Sequence, residues 1–142
     1  SDSLCYMKNE QEVQQVFDEV YQALEENGRF IFDVHSIYQI DTVFPEYSYH
    51  YQNDQFAFLW DSYPGKEKHS IEHFLTFFVE DPEEAGKFIR EDELHQEQTY
   101  SLDNYLRMLE NSGFSKVEAF GDFTDEQPKE DTKRLFFVAY KE

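Results

Sequence analysis

The chain has 142 residues and a formal net charge of −19, yet it carries 15 Phe, 10 Tyr and 1 Trp. High net charge favours disorder, but disordered chains are poor in aromatics, so a folded domain is expected. The charge excludes nucleic acid and anionic membranes as partners, because the few Lys and Arg form no basic run. Cys5 is the lone cysteine, which rules out an internal disulfide or a Cys-rich zinc site and suits a buried thiol. No apolar run approaches the ~20 residues of a membrane helix. No signal-peptide pattern opens the chain. A soluble cytoplasmic protein is expected.

In chain order, the first predicted element is a helix. Asn9 can cap it, with Glu12 three residues later as in a capping box. Val13, Val16, Phe17, Val20, Tyr21 and Leu24 keep the spacing of one apolar face. Asn27-Gly28 ends it, with Gly28 suited to a left-handed residue. Arg29 to His35 follows as a strand with apolar side chains on both faces, the pattern of a buried parallel strand.

After Pro45 the pattern changes. Tyr47 to Tyr51 reads as a short strand, and Phe56, Phe58 and Trp60 share a face of the next. In the long strand after Pro64-Gly65, Ile71, His73, Leu75, Phe77 and Val79 share one face, with Phe74 and Phe78 on the other. Lys87 to Tyr100 completes an antiparallel meander, although Glu91 to Glu97 is very polar. Then Ser101 caps a helix carrying Leu102, Tyr105, Leu106 and Leu109, ended by Gly113. Ser115 to Phe120 is a strand, and Arg134 to Tyr140 is a terminal strand apolar on both faces. The predicted fold class is α/β: residues 1–46 and 101–142 form a partial core, and residues 47–100 form an antiparallel insertion. Only about three strands belong to the main sheet, whereas an intact nucleotide-binding sheet is built from two halves.

This order, with particular residues, resembles the carboxy-terminal part of class I S-adenosylmethionine-dependent methyltransferases, within a small bacterial branch. Asp2-Ser3-Leu4-Cys5-Tyr6 matches the stretch after the family's fourth strand, with Cys5 where Asn is usual. Phe32-Asp33-Val34-His35 matches the end of the fifth strand. Asp92-Glu93-Leu94-His95 and Tyr100 match the end of the insertion, with Asp92 in place of Glu. Ser112-Gly113-Phe114, Gly121-Asp122-Phe123 and Arg134 to Val138 complete the match. The family's Gly-rich cofactor loop is missing: no two glycines lie within seven residues of each other, so no G-x-G-x-x-G exists. The chain is therefore expected to be a fragment that is inactive alone. S-adenosylmethionine would bind the complete protein and weakly, if at all, these residues.

The resemblance implies that Asp2, Ser3, Leu4 and Tyr6 edge the methionine end of the cofactor. Ligands in open α/β sheets sit beyond strand carboxyl ends, which nominates His35, Tyr38 and Asp122 for substrate. The insertion is expected to cover the active site. Its aromatic surface of Tyr49, Tyr51, Phe56, Phe58, Trp60, Phe74 and Phe78 suits a small molecule with apolar or planar parts, and Trp60, His73 and His95 are further substrate candidates. His69 and His73 on a strand would lie about 13 Å apart at ~3.3 Å per residue, too far to share a metal. Glu91, Glu93, His95 and Glu97 alternate onto one strand face and are expected to be solvated. Two further readings stay open. One is a cofactor-free ligand-binding module made of one continuous antiparallel sheet. The other is a homodimer through surfaces that truncation exposes.

Overall fold

The computed structural model describes residues 2–142, with the backbone alone for Asp2; the cofactor expectation at the Asp2 side chain lies outside the described residues. A 3-10 turn, Asp2–Tyr6, leads into helix α1, Glu10–Ala23. Asn9 caps α1, its side chain accepting from the Glu12 N–H at 2.9 Å. Glu12 reaches back to the N–H of Lys8 at 2.6 Å, one residue before the position a capping box uses. The helix stops earlier than its apolar spacing suggests. Asn27, not Gly28, takes the left-handed conformation, at φ 63°. Gly28 is needed for space, since a Cβ there would meet the Glu25 carbonyl oxygen at 2.8 Å.

Strands β1 (Arg29–His35), β6 (Lys116–Gly121) and β7 (Arg134–Tyr140) form one sheet in the order β1-β7-β6. The expectation of parallel neighbours for β1 is corrected. Both ladders of this sheet are antiparallel, with β7 running against β1 on one side and β6 on the other. The expectation that β1 is buried on both faces is corrected too. Phe32 and Val34 face the core, while Ile31 is 66% exposed. The physical reason is that α1 and α2 (Leu102–Ser112) lie on the same side of the sheet. Phe17 of α1 packs on Phe30 and Phe32, and Tyr105 of α2 packs on Phe32 and Phe137. The paired Phe32 and Phe137 stack with centroids 4.8 Å apart. Ser101 caps α2, and Gly113 ends it at φ 115° with a Cβ position only 2.8 Å from the Tyr21 ring.

Strands β2 (Ser48–Gln52), β3 (Phe56–Pro64), β4 (Ser70–Glu80) and β5 (Phe88–Gln98) form a second, separate antiparallel sheet in sequence order. Despite its polarity, β5 pairs with β4 along its full length, from Ser70↔Gln98 to Glu80↔Phe88. A charged outer strand is a usual way of blunting a sheet edge. The register splits the aromatic surface read from the sequence. Tyr49, Tyr51, Phe56, Phe58 and Trp60 share a face with His73, but Phe74 and Phe78 sit opposite Leu94 and Arg90 on the other. Thr99 ties the sheets together: buried, it donates to the His35 carbonyl at 2.6 Å and lies 3.0 Å from the Tyr105 hydroxyl. Two separate sheets are not the single curled sheet that a cofactor-free binding module would show.

Candidate active site

The site forms where the end of β1 meets the inner face of the second sheet. Antiparallel register does most of the placing. Ser62 on β3, His73 on β4 and His95 on β5 are direct partners in one row, and Glu97 follows His95 on the same face. From the other side come His35, at the end of β1, and Phe44, which follows a π-helical turn (Gln39–Val43) that sequence periodicity did not reveal. Phe44 packs edge-on against His35, His73 and Tyr47, and at a tilt against Trp60. All of these except Ser62, with Tyr6, Gln39 and Lys133, line a cavity of about 570 Å³.

Glu97 is the residue that the sequence misassigned. Expected to be solvated, it is 4% exposed, because Gln98 and Thr99 carry β5 into the junction between the sheets. Its Oε2 lies 3.2 Å from His35 Nε2 and 3.8 Å from His73 Nε2. Among the described residues neither contact meets standard hydrogen-bond geometry at Oε2, yet both imidazoles lie close enough to favour the charged carboxylate. Burial pushes the Glu97 carboxyl upward, but the two imidazoles win and hold it well below the ordinary carboxylate range.

The tautomer of His73 follows from its neighbours. Trp60 Nε1 lies 3.1 Å from His73 Nδ1 and 3.0 Å from Ser62 Oγ, which is itself 2.6 Å from the same Nδ1. An indole N–H can only donate, so Nδ1 accepts and the ring hydrogen sits on Nε2, towards Glu97. Buried polar groups thus order each other from Trp60 through His73 to Glu97.

Of the residues nominated from the sequence, Tyr6, His35, Trp60, His73 and His95 come together around this cavity. Tyr38 does not; it lines a different hollow with Tyr100 and Pro128. Asp122 is also apart. At φ 52° it holds the turn before β7, its Oδ1 accepting from the N–H groups of Lys133 and Arg134 at 3.1 Å each. Leu4 is buried in the main core, and Ser3 borders a hollow along β1. His69 and His73 have separate partners, since His69 contacts Asp41 at 2.6 Å. Among the described residues no group of three or more His, Cys, Asp or Glu is arranged to hold a metal. Gln39 and Glu97 were missing from the sequence shortlist. An acidic residue flanked by Gln in a strand that ends at Thr99-Tyr100 carries no signal of burial by itself.

No protein-family model matches the chain. Two curated relatives do. A "putative methyltransferase" from Geobacillus sp. (strain WCH70) is 44% identical over 140 residues, covering 99% of this chain and 56% of the relative. The "putative methyltransferase YqeM" of Bacillus subtilis (strain 168) is 36% identical over the same shares. The chain thus spans about half the length of the curated relatives it matches. Among solved structures, an S-adenosylmethionine-dependent methyltransferase from Clostridium acetobutylicum ATCC 824 superposes with a TM-score of 0.84. The match has 23% identity and covers 98% of this chain and 55% of that one. Over nearly its whole length this chain is similar in sequence to these "putative methyltransferase" relatives, and its fold is that of the solved S-adenosylmethionine-dependent methyltransferase.

Proposed function

We propose that the protein to which this chain belongs methylates a small molecule, with the acceptor seated in the cavity between the two sheets. The observation that carries the reading is the convergence there of Tyr6, on the turn that by resemblance edges the donor, with three imidazoles and Glu97. The volume lies within the ~300–1,000 Å³ usual for small-molecule sites. Its apolar wall of Phe44, Tyr47 and Trp60 suits a ligand with apolar or planar parts. Gln39 Oε1 and Glu97 Oε2 are buried without hydrogen-bond partners among the described residues. Buried acceptor atoms favour a ligand that brings N–H or O–H donors. An amine- or hydroxyl-bearing acceptor meets both demands.

S-adenosylmethionine, when bound, supplies an electrophilic methyl group on sulfonium, and such transfer needs in-line positioning and exclusion of water. By resemblance Ser3 and Tyr6 would edge its methionine end; Tyr6 lines the cavity between the sheets, and Ser3 borders the hollow along β1. The five glycines offer no cradle for its nucleoside. Those contacts are not supplied by these residues, so the 142-residue chain alone is expected to bind it weakly or not at all. The remaining residues orient and dry the acceptor: Trp60 and Phe44 wall the cavity, while Glu97 fixes two imidazoles.

The test uses the natural full-length protein, methyl-labelled S-adenosylmethionine and a panel of small amines and alcohols. Label transfer with release of the demethylated donor is expected. Calorimetry showing no donor binding by the full-length protein would overturn the reading. In the 142-residue chain, where Trp60 is the single tryptophan, its fluorescence gives an independent signal when an acceptor enters.

A further inference from the structure

A second polar chain borders the same cavity, and its order is chemically directional. Tyr6 Oη lies 2.9 Å from His95 Nδ1, and His95 Nε2 lies 3.0 Å from Glu93 Oε2. An ionised carboxylate can only accept, so the hydrogen bond to Glu93 places a proton on Nε2. In the neutral ring Nδ1 then keeps its lone pair, and Tyr6 donates its O–H to it. The result is a hydroxyl–imidazole–carboxylate series, the arrangement by which an imidazole can accept a proton from a hydroxyl group. Its parts come from distant segments. Glu93 and His95 alternate onto one face of β5, while Tyr6 is held by the 3-10 turn whose Leu4 and Cys5 are buried in the core.

We infer that Tyr6 is the catalytic proton acceptor for the methyl acceptor's nucleophile, with His95 and Glu93 as the positioning residues that make it one. This rests on the methyltransferase reading above. The acceptor's N or O bonds to the methyl carbon as the carbon–sulfur bond opens, and that bond's electron pair stays on sulfur. The acceptor's proton passes to Tyr6 Oη while the Tyr6 proton passes to His95 Nδ1, leaving an imidazolium against Glu93. The other polar groups bordering the cavity are not equivalent to this series. His35 and His73 are directed at Glu97, and Arg134 is paired with Asp33 at 2.6 Å. Lys133 has no basic lone pair when charged. The inference selects a substrate class: a nucleophile that must lose a proton, an alcohol or amine, not a thiolate or carboxylate.

The test needs neither donor nor acceptor. Tyr6, Tyr51 and Tyr63 are similarly exposed, at 44%, 42% and 51%. In the full chain treated with N-acetylimidazole, acetylation of each is followed by peptide mass spectrometry. Tyr6 is expected to react roughly tenfold faster than the other two, below the ~100-fold of an optimised general base. His95→Gln and Glu93→Gln, both on the partly exposed inner face of β5, should lower Tyr6 to the common rate and leave Tyr51 and Tyr63 unchanged. In parallel, ring ¹⁵N shifts should report the Nε2–H tautomer of His95 and its loss in Glu93→Gln. Tyr6 reacting no faster than Tyr51, or unaffected by His95→Gln, overturns the inference and leaves the methyltransferase reading standing. A fast-reacting Tyr6 in a full-length protein that binds no donor overturns that reading instead.

Discussion

Replacing Glu97 with Gln removes one buried charge and changes little else in shape. A protonated imidazole 3.2 Å away attracts a carboxylate by about 5 kcal/mol at an effective dielectric constant of ~20. Desolvating the carboxylate costs several kcal/mol in return. Breaking a buried pair by deleting one partner costs ~3–5 kcal/mol when the other stays charged. Glutamine keeps a polar group of the same shape beside both rings, so a loss of about 2–3 kcal/mol at pH 7 is expected, below that range. The acid dependence follows from the direction of the shift. The folded-state carboxyl is depressed below its ordinary value of 4.5, so its contribution is complete above about pH 4.5 and is lost as the pH falls further. Urea melts of wild type and Glu97→Gln at pH 7, 5 and 3 measure this. A gap that is steady from pH 7 to 5 and smaller at pH 3 is expected. The same gap at all three values, or a variant more stable than wild type at pH 7, would refute the reasoning.

Other substitutions probe the frame that holds the site. Phe17→Ala empties a fully buried position between α1 and β1 and should cost ~3–5 kcal/mol by denaturant melts, with the site lost only through unfolding. Gly113→Ala forces an L residue to φ 115° and drives a methyl group into the Tyr21 ring, so a loss of about 1–3 kcal/mol is expected in thermal melts. Trp60→Phe removes the N–H that fixes the His73 tautomer. Ring ¹⁵N shifts should then show His73 in a mixture of tautomers, with stability lowered by about 1 kcal/mol. Ile31 and Phe123, at 66% and 87% exposed, lie on the helix-free side of the β1-β7-β6 sheet. A chain of these residues alone is expected to self-associate in light scattering at high concentration, and Ile31→Lys should reduce that association.

Much of the fold was legible because it is coded locally. Asn9 and Ser101 mark helix starts, the 3-and-4 spacing marks apolar faces, and alternation in Phe56–Pro64 and Ser70–Glu80 marks strands. Elements governed by distant partners were less legible. The π-helical turn before Phe44 has no periodic signature, and its role is to place Phe44 among His35, His73 and Trp60. Tyr38 and Asp122 qualified as strand-end polar residues, but such positions also serve turns. Asp122 spends its carboxylate on the backbone of Lys133 and Arg134.

The sequence by itself determined the kind of chain this is: acidic, aromatic-rich and α/β with an antiparallel insertion, carrying in order the residues that mark its likeness to methyltransferases. Those features are local, or depend only on the order of elements along the chain. What chemistry the site can do was decided by tertiary structure alone. Pairing of β3, β4 and β5 in one register sets Ser62, His73 and His95 side by side, and a slip of one residue in any of the three strands would turn its member outward. The same register carries Glu97 from an apparently solvated acidic strand into the closed junction of the two sheets, where proximity to His35 and His73 outweighs the cost of burial. Strand alternation shows which residues share a face, but only packing decides which end of that face water leaves.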